Sequence, residues 1–221
     1  MDTGTLADRV YRALRERILQ GDYLPGQKLN LAQLARDLEV SNTPIREAMA
    51  RLERVGLVEI VPYCGPKVKR LTAAQLRDIY DVRIALEELA VRLVAQSQDP
   101  DVLQGMARAL EMQERACSGD DPRAVVDADR AFHDALVEAS GNSILLEMLP
   151  NLSDRTRLLL ELDRPPSEGM DREAALRALH DHRLVYAALQ EGDQETAVKE
   201  LHHQLIRGRE LLVEQMSKND E

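Results

Sequence analysis

Nine residues, VSNTPIREA from Val40 to Ala48, constrain this 221-residue chain more than any other stretch. Ser41 is an N-cap residue type, and Asn42, Thr43 and Arg46 then fall on the first turn and a half of a helix. The apolar stripe of that helix is Ile45, Met49 and Leu52. Polar hydrogen-bonders at the start of a short helix with an apolar back are the build of a recognition helix, whose N-terminal residues reach base edges in a major groove. The preceding segment, Leu29 to Val40, supplies a supporting helix with Leu31, Leu34, Ala35 and Leu38 inward. The following one, Gly56 to Leu71, alternates and breaks at Pro62 and Gly65 as a two-stranded wing does. The pattern predicts a winged helix-turn-helix with double-stranded DNA as partner. Arg46 is expected on bases or phosphates, Ser41, Asn42 and Thr43 on phosphates or base edges, and Lys67 and Lys69 of the wing on phosphates.

A formal net charge of −10 runs against DNA binding until it is divided along the chain. Up to Thr72 there are twelve Lys and Arg against nine Asp and Glu; beyond it, seventeen against thirty. A mildly basic head on an acidic body predicts a separate reading domain, residues 1–71, and a second, regulatory domain, 72–221. No stretch approaches the apolar length of a membrane span and no basic–apolar signal opens the chain, so a soluble cytoplasmic protein is expected, on the nucleoid when bound to DNA. Cys64 and Cys117 lack metal or redox spacing and imply no disulfide framework. With no Trp and a single Phe, Phe132, the core must be Leu, Val, Ile, Ala and Met.

From Thr72 to about Gln96 the chain reads as a long helix with Leu76, Ile79, Leu86, Ala90 and Leu93 on its apolar stripe. Further helical patterns run over about 100–117, 122–139, 142–162, 170–190 and 194–217. The breaks between them are Asp99-Pro100, Gly119 to Pro122, Ser140 to Asn142, Arg164-Pro165-Pro166 and Gly192-Asp193. Nothing after residue 72 reads as a strand. The fold class is therefore mainly α: an N-terminal winged helix-turn-helix and a C-terminal six-helix antiparallel bundle joined by short loops.

Several polar residues of the body fall on apolar stripes. Asp129 and His133 ride beside Val125, Ala128, Phe132 and Leu136, one turn apart on one face, which is a usable two-ligand metal spacing. His182 shares a face with Ala175, Leu179, Tyr186 and Leu189 and points inward. Each of the three would otherwise need a buried partner. Arg83 lies on the stripe of the first body helix and needs a counter-charge: an internal one, Glu87 or Asp129, or the carboxylate of a bound effector. Asn142 and Arg155 are further effector-binding candidates. His180 and Asp181 are either solvated or partners for His182.

Residues 6 to 71 resemble the DNA-binding head of the GntR family of bacterial transcription regulators. The match rests on the helix Leu6–Leu19, the turn Gly21 to Leu29, the S-x-TPIREA segment, RLERVGL and the Gly65 wing. Two residues depart from the family pattern. Asn42 stands where Arg is usual after the Ser, and Cys64 stands where Arg precedes the wing glycine, so two cations are missing. The six helices behind the head resemble the FCD effector-binding domain of the FadR subfamily, in its six-helix branch.

That resemblance implies a divalent metal, zinc or nickel, bound by an Asp and three His. The segments Asp127 to Asn142 and His180 to Leu205 place Asp129, His133 and His182 on the first three ligand positions. The fourth lands on Gln204. At about 100° per residue, Gln204 lies roughly 60° from Leu201 at the edge of the inward face, whereas His203 lies about 160° away. Three readings stay open: a metal held with Gln204 or water, a slipped last helix bringing His203 or His202 inward, or a site without metal. The resemblance also favours Arg83 as an effector contact. It implies a homodimer on a near-palindromic operator, not associated with a membrane, whose DNA affinity responds to a small organic acid.

An enzyme is the rival class, a metal-dependent one built on a helical bundle with an accessory head. Paired Glu-x-x-His motifs, His-Glu-x-x-His, a nucleophile elbow and a glycine-rich phosphate loop are all missing. The expectation is a regulator without catalytic residues.

Overall fold

A computed structural model of the chain describes residues 5–97, 99, 101–162 and 172–219. Pro100, the break at Arg164-Pro165-Pro166 and the first residues of the helix expected from 170 lie outside them. The described residues hold α1 (Leu6–Leu19), α2 (Leu31–Asp37), α3 (Asn42–Arg54), β1 (Val58–Val61), β2 (Gly65–Val68), α4 (Ala73–Ala95), α5 (Gln104–Ser118), α6 (Pro122–Ala139), α7 (Ser143–Leu162), α8 (Arg172–Gln190) and α9 (Gln194–Asn219). They fall into two compact units. One takes the residues up to Thr72 together with α7 from Asp154 on; the other takes the rest.

In the first unit, α1 starts at a capping box. Thr5 Oγ1 accepts the Asp8 amide and the Asp8 carboxylate accepts the Thr5 amide, which satisfies donors the helix cannot. Asp8 also accepts from Arg51 of α3, and these bonds hold its pKa at about 2. Asn30 caps α2 by accepting from Ala32 and Gln33. Glu39, at φ 53, turns the chain from α2 toward α3. Leu14, Ile18 and Leu19 of α1 meet Ile45, Leu52 and Leu57 in the core, all fully enclosed. The strands pair antiparallel, Val58 opposite Val68 and Val61 opposite Gly65, and form the expected wing.

Within this unit, Asp154 and Arg155 of α7 make polar contacts with the rest. Asp154, itself buried, accepts from Arg15 Nε at 2.6 Å and from a second guanidinium nitrogen at 2.5 Å. Arg155 Nε donates at 2.8 Å to the carbonyl of Val55, at the C-terminal end of α3. Gly56 follows at φ +80, and a Cβ there would stand 2.6 Å from Arg155 Nε. Gly56→Ala should therefore lower the stability of this unit by about 1–3 kcal/mol, combining left-handed strain with displacement of the guanidinium. A urea melt followed by circular dichroism checks this; an unchanged midpoint would contradict it.

In the second unit, α4 packs on α9 and α6, α5 on α6 and α8, and α8 on α9. The long α4 buries Leu76, Ile79, Ala90 and Val94 at helical spacing. Leu86 and Leu93, expected in that stripe, are only half-buried. They share a second apolar stripe with Val82 and Leu89, which are exposed. The helix start expected near 100 is at Gln104, because the Asp99 carboxylate accepts the Asp101 amide and holds a turn in front of it. Phe132 of α6 is fully buried, with Leu76, Met106, Leu136 and Leu201 among the enclosed side chains around the bundle. Among the described residues no helix is long and apolar enough to cross a membrane.

Candidate functional site

Helix α6 carries Asp129 and His133 one turn apart, and α8 carries His182. One ligand atom from each lies within 4.8 Å of the others. His182 Nε2 and Asp129 Oδ1 are 3.8 Å apart. Phe132, next to His133 in sequence, stacks on the His182 ring with centroids 4.1 Å apart and planes at 13°, and His133 meets that ring edge-on at 4.9 Å. Both imidazoles are buried, while Asp129 is half-buried.

The far side of each ring is occupied. His133 Nδ1 is 2.5 Å from the Glu87 carboxylate and His182 Nδ1 is 2.8 Å from Gln113 Oε1. The near sides are not. His133 Nε2, His182 Nε2 and Gln204 Oε1 are buried without a hydrogen-bond partner. Gln113 Nε2 is a fourth such atom, and four unpartnered polar atoms in a helical core are costly, since native interiors leave few of them. A divalent cation supplies what two imidazole lone pairs, a carboxylate and an amide oxygen all lack, so the donor set fits a metal. Gln204 points inward, and His202 and His203 are exposed, His202 on Glu88 at 2.8 Å.

Arg83 and Glu87 lie one turn apart on α4 and are both buried, with Arg83 Nε 2.5 Å from Glu87. Burial alone would raise the Glu87 pKa, but Arg83 and His133 outweigh it and hold it at about 2. Arg83 titrates above its ordinary value; burial opposes this and Glu87 overcomes it. Burial, reinforced by His133 and Arg83, keeps His182 well below the usual imidazole range, so its ring is neutral.

Of the three effector candidates, the structure brings only Arg83 to this region, and it gives Arg83 the internal partner Glu87. Asn142 accepts from the Ile144 and Leu145 amides and caps α7. Arg155 is committed to the Val55 carbonyl in the other unit. Asp181 is buried against Arg207 and His180 is exposed, so the partner of His182 is neither of them but Gln113. Gln113 was not foreseen. Its signal was available: on α5 it continues the buried series Met106, Ala109 and Cys117 at helical spacing, a polar residue in an apolar stripe.

On the first unit, Ser41, Asn42, Thr43 and Arg46 all project from the start of α3 into solvent. Ser41 is the N-cap residue, yet its side chain makes no capping bond. Lys67 and Lys69 are half-buried, Lys67 in β2 and Lys69 just after it.

Known proteins similar to this chain show its family. Residues 6–68 match the bacterial regulatory proteins of the gntR family, and residues 78–206 match the FCD domain. The HTH-type transcriptional regulator YdhC of Bacillus subtilis (strain 168) is 33% identical over 188 residues, covering 85% of this chain and 82% of its own length. The gluconate operon transcriptional repressor of Bacillus licheniformis is 28% identical over 202 residues, 88% of this chain and 79% of its own. The solved structure of E. coli McbR/YncC superposes with a TM-score of 0.82 at 27% identity, over 96% of this chain and 99% of that one. A winged helix with an exposed polar helix start, a helical bundle with an Asp/His/His cluster and these matches lead to one assignment. The chain belongs to the GntR family of bacterial transcription regulators, with an FCD domain behind its DNA-binding head, and is a regulator and not an enzyme.

Proposed function

We propose that the chain binds operator DNA as a homodimer, and that a small carboxylate metabolite held beside a divalent metal in the helical domain modulates that binding. The observation that carries the sensing half is the cluster of Asp129, His133 and His182, with two imidazole nitrogens buried and unpartnered. Gln204 is the fourth ligand in this reading, and the mixed nitrogen and oxygen donors suit zinc or nickel. Bound there, the ion supplies a Lewis-acidic anchor for a carboxylate oxygen.

Charge balance supports a carboxylate as the ligand. Asp129 and Glu87 together offset a divalent ion, which leaves the charge of buried Arg83 in surplus. A single anion cancels it, and an uncompensated charge in such an interior is costly. The repressor of a gluconate operon among the relatives fits the same chemical class and a repressing role. The apolar stripe on α4, exposed at Val82 and Leu89 and half-buried at Leu86 and Leu93, supports a second copy as its cover. Residues 1–71 read DNA, and 72–221 sense and dimerise. The protein acts in the cytoplasm, on the nucleoid when bound to its operator.

Ser41, Asn42, Thr43 and Arg46 meet the major groove, and Lys67 and Lys69 meet the backbone. A gel shift with DNA from upstream of the chain's own coding region tests this. A sequence-preferring complex that weakens with salt is expected. Arg46→Ala should cost about 1–3 kcal/mol of binding. Lys67→Ala should weaken all sequences alike and reduce the salt slope by about 1. No salt-sensitive complex, or an Arg46→Ala protein that binds as before, would contradict the reading.

A further inference from the structure

We infer that Glu87 and Gln113 are the positioning residues of this centre: each accepts a hydrogen bond from the Nδ1–H of one imidazole, Glu87 from His133 and Gln113 from His182, and so keeps both Nε2 lone pairs for the cluster. The inference rests on the metal reading and deepens it.

Glu87 Oε1 accepts from Arg83 Nε at 2.5 Å, so the carboxylate is held as the guanidinium's partner and turns its other oxygen, Oε2, to His133 as an acceptor. The ring nitrogen facing it at 2.5 Å must therefore carry the proton. On a neutral ring the other nitrogen, His133 Nε2, is then a bare lone pair, and that buried atom is the one without a partner. Gln113 could face His182 with either end of its amide, and the two choices have opposite consequences. With Oε1 toward the ring, as found at 2.8 Å, the ring's Nδ1 donates, its Nε2 is a lone pair and the Gln113 amide nitrogen is left without a partner; turning the amide over would only leave Oε1 so instead. With the amide nitrogen toward the ring, Nε2 would carry the proton and would donate to Asp129. The observed 3.8 Å between His182 Nε2 and Asp129 Oδ1 is too long for that hydrogen bond. It suits two electron-pair donors standing side by side. Outer partners of this kind fix tautomer and ring orientation and strengthen the ligand. Glu87 does so with a full charge on α4, Gln113 with a neutral dipole on α5, so the two rings are supported from two helices that carry none of the proposed ligands.

The test uses the full chain labelled with ¹⁵N-histidine, stripped of metal and held at about pH 8, above the ordinary imidazole range. Long-range ¹H–¹⁵N correlation, assigned with His133→Asn and His182→Asn, is expected to show the proton of both rings on Nδ1. A proton on Nε2 of either ring, alone or with Nδ1, overturns the inference. Zinc affinity, measured by competition with a chromophoric chelator, gives the second readout. Gln113→Leu should move the His182 proton toward Nε2 and weaken zinc binding by about 10–100-fold, and Gln113→Glu should restore both. A Gln113→Leu chain that keeps its Nδ1 proton and its zinc affinity also overturns it. If the wild-type chain shows the expected ring protons but binds no zinc, the metal reading fails, and the role assigned to the two residues fails with it.

Discussion

Glu87→Ala is expected to destabilise the helical unit by about 3–5 kcal/mol, the cost of removing one partner from a buried ion pair. Glu87 is 1% exposed and Arg83 is 7% exposed. Two groups depend on Glu87 at once, the guanidinium of Arg83 and the Nδ1 proton of His133, each at 2.5 Å. Alanine leaves one charge and one donor in the interior with no acceptor in place of the carboxylate. The penalty therefore comes from what is stranded and not from the worth of the lost contact. A matched control separates the two: Arg83→Met with Glu87→Leu removes both charges and should recover most of the loss, since apolar residues of similar volume often replace buried pairs at little cost. Chemical denaturation of the three proteins measures it. A loss below about 1 kcal/mol for Glu87→Ala would mean that water reaches the pair and that the interior is not the closed environment described above.

Much of the fold could be read from residue spacing, because helices with one apolar stripe announce themselves at a period of 3.6. The helix over 122–139 and the wing with its turn between Val61 and Gly65 have the bounds their patterns imply. Asp129, His133 and His182 were legible for the same reason: polar residues at core positions stand out. The failures have physical causes too. Leu86 and Leu93 are as apolar as any core residue, and periodicity cannot say which of two adjacent stripes on α4 the neighbouring helices cover. The engagement of Asp154 with Arg15 joins residues 139 apart, through polar groups that no hydrophobic pattern marks. Asn142 and Arg155 carry effector-binding chemistry by type, but each is spent on backbone groups, an α7 cap and the Val55 carbonyl. Gln113 was passed over because an amide attracts less notice than an imidazole, although its place in the stripe is as inward as that of His182.

The second large effect concerns the cluster itself. His182 is fully buried, stacked on Phe132 and neutral, so its Nε2 has no role in the fold that a hydrogen bond would reveal. His182→Ala should therefore remove metal binding by more than the about 10–100-fold that a supporting partner is worth. It also opens a cavity beside Phe132, so the near-isosteric Asp129→Asn, at a half-buried position, serves as the companion that keeps the packing. Asp129→Asn removes a charged ligand and should weaken binding while leaving the melting curve close to that of the parent chain.

The central claim, that Asp129, His133 and His182 hold a divalent ion, is tested most directly by elemental analysis of the full chain purified without chelators and then equilibrated with zinc or nickel. About one ion per chain is expected in the wild type, with little or none in His182→Ala and Asp129→Asn. A wild-type chain that takes up neither metal, or variants that retain the same content, would contradict the account.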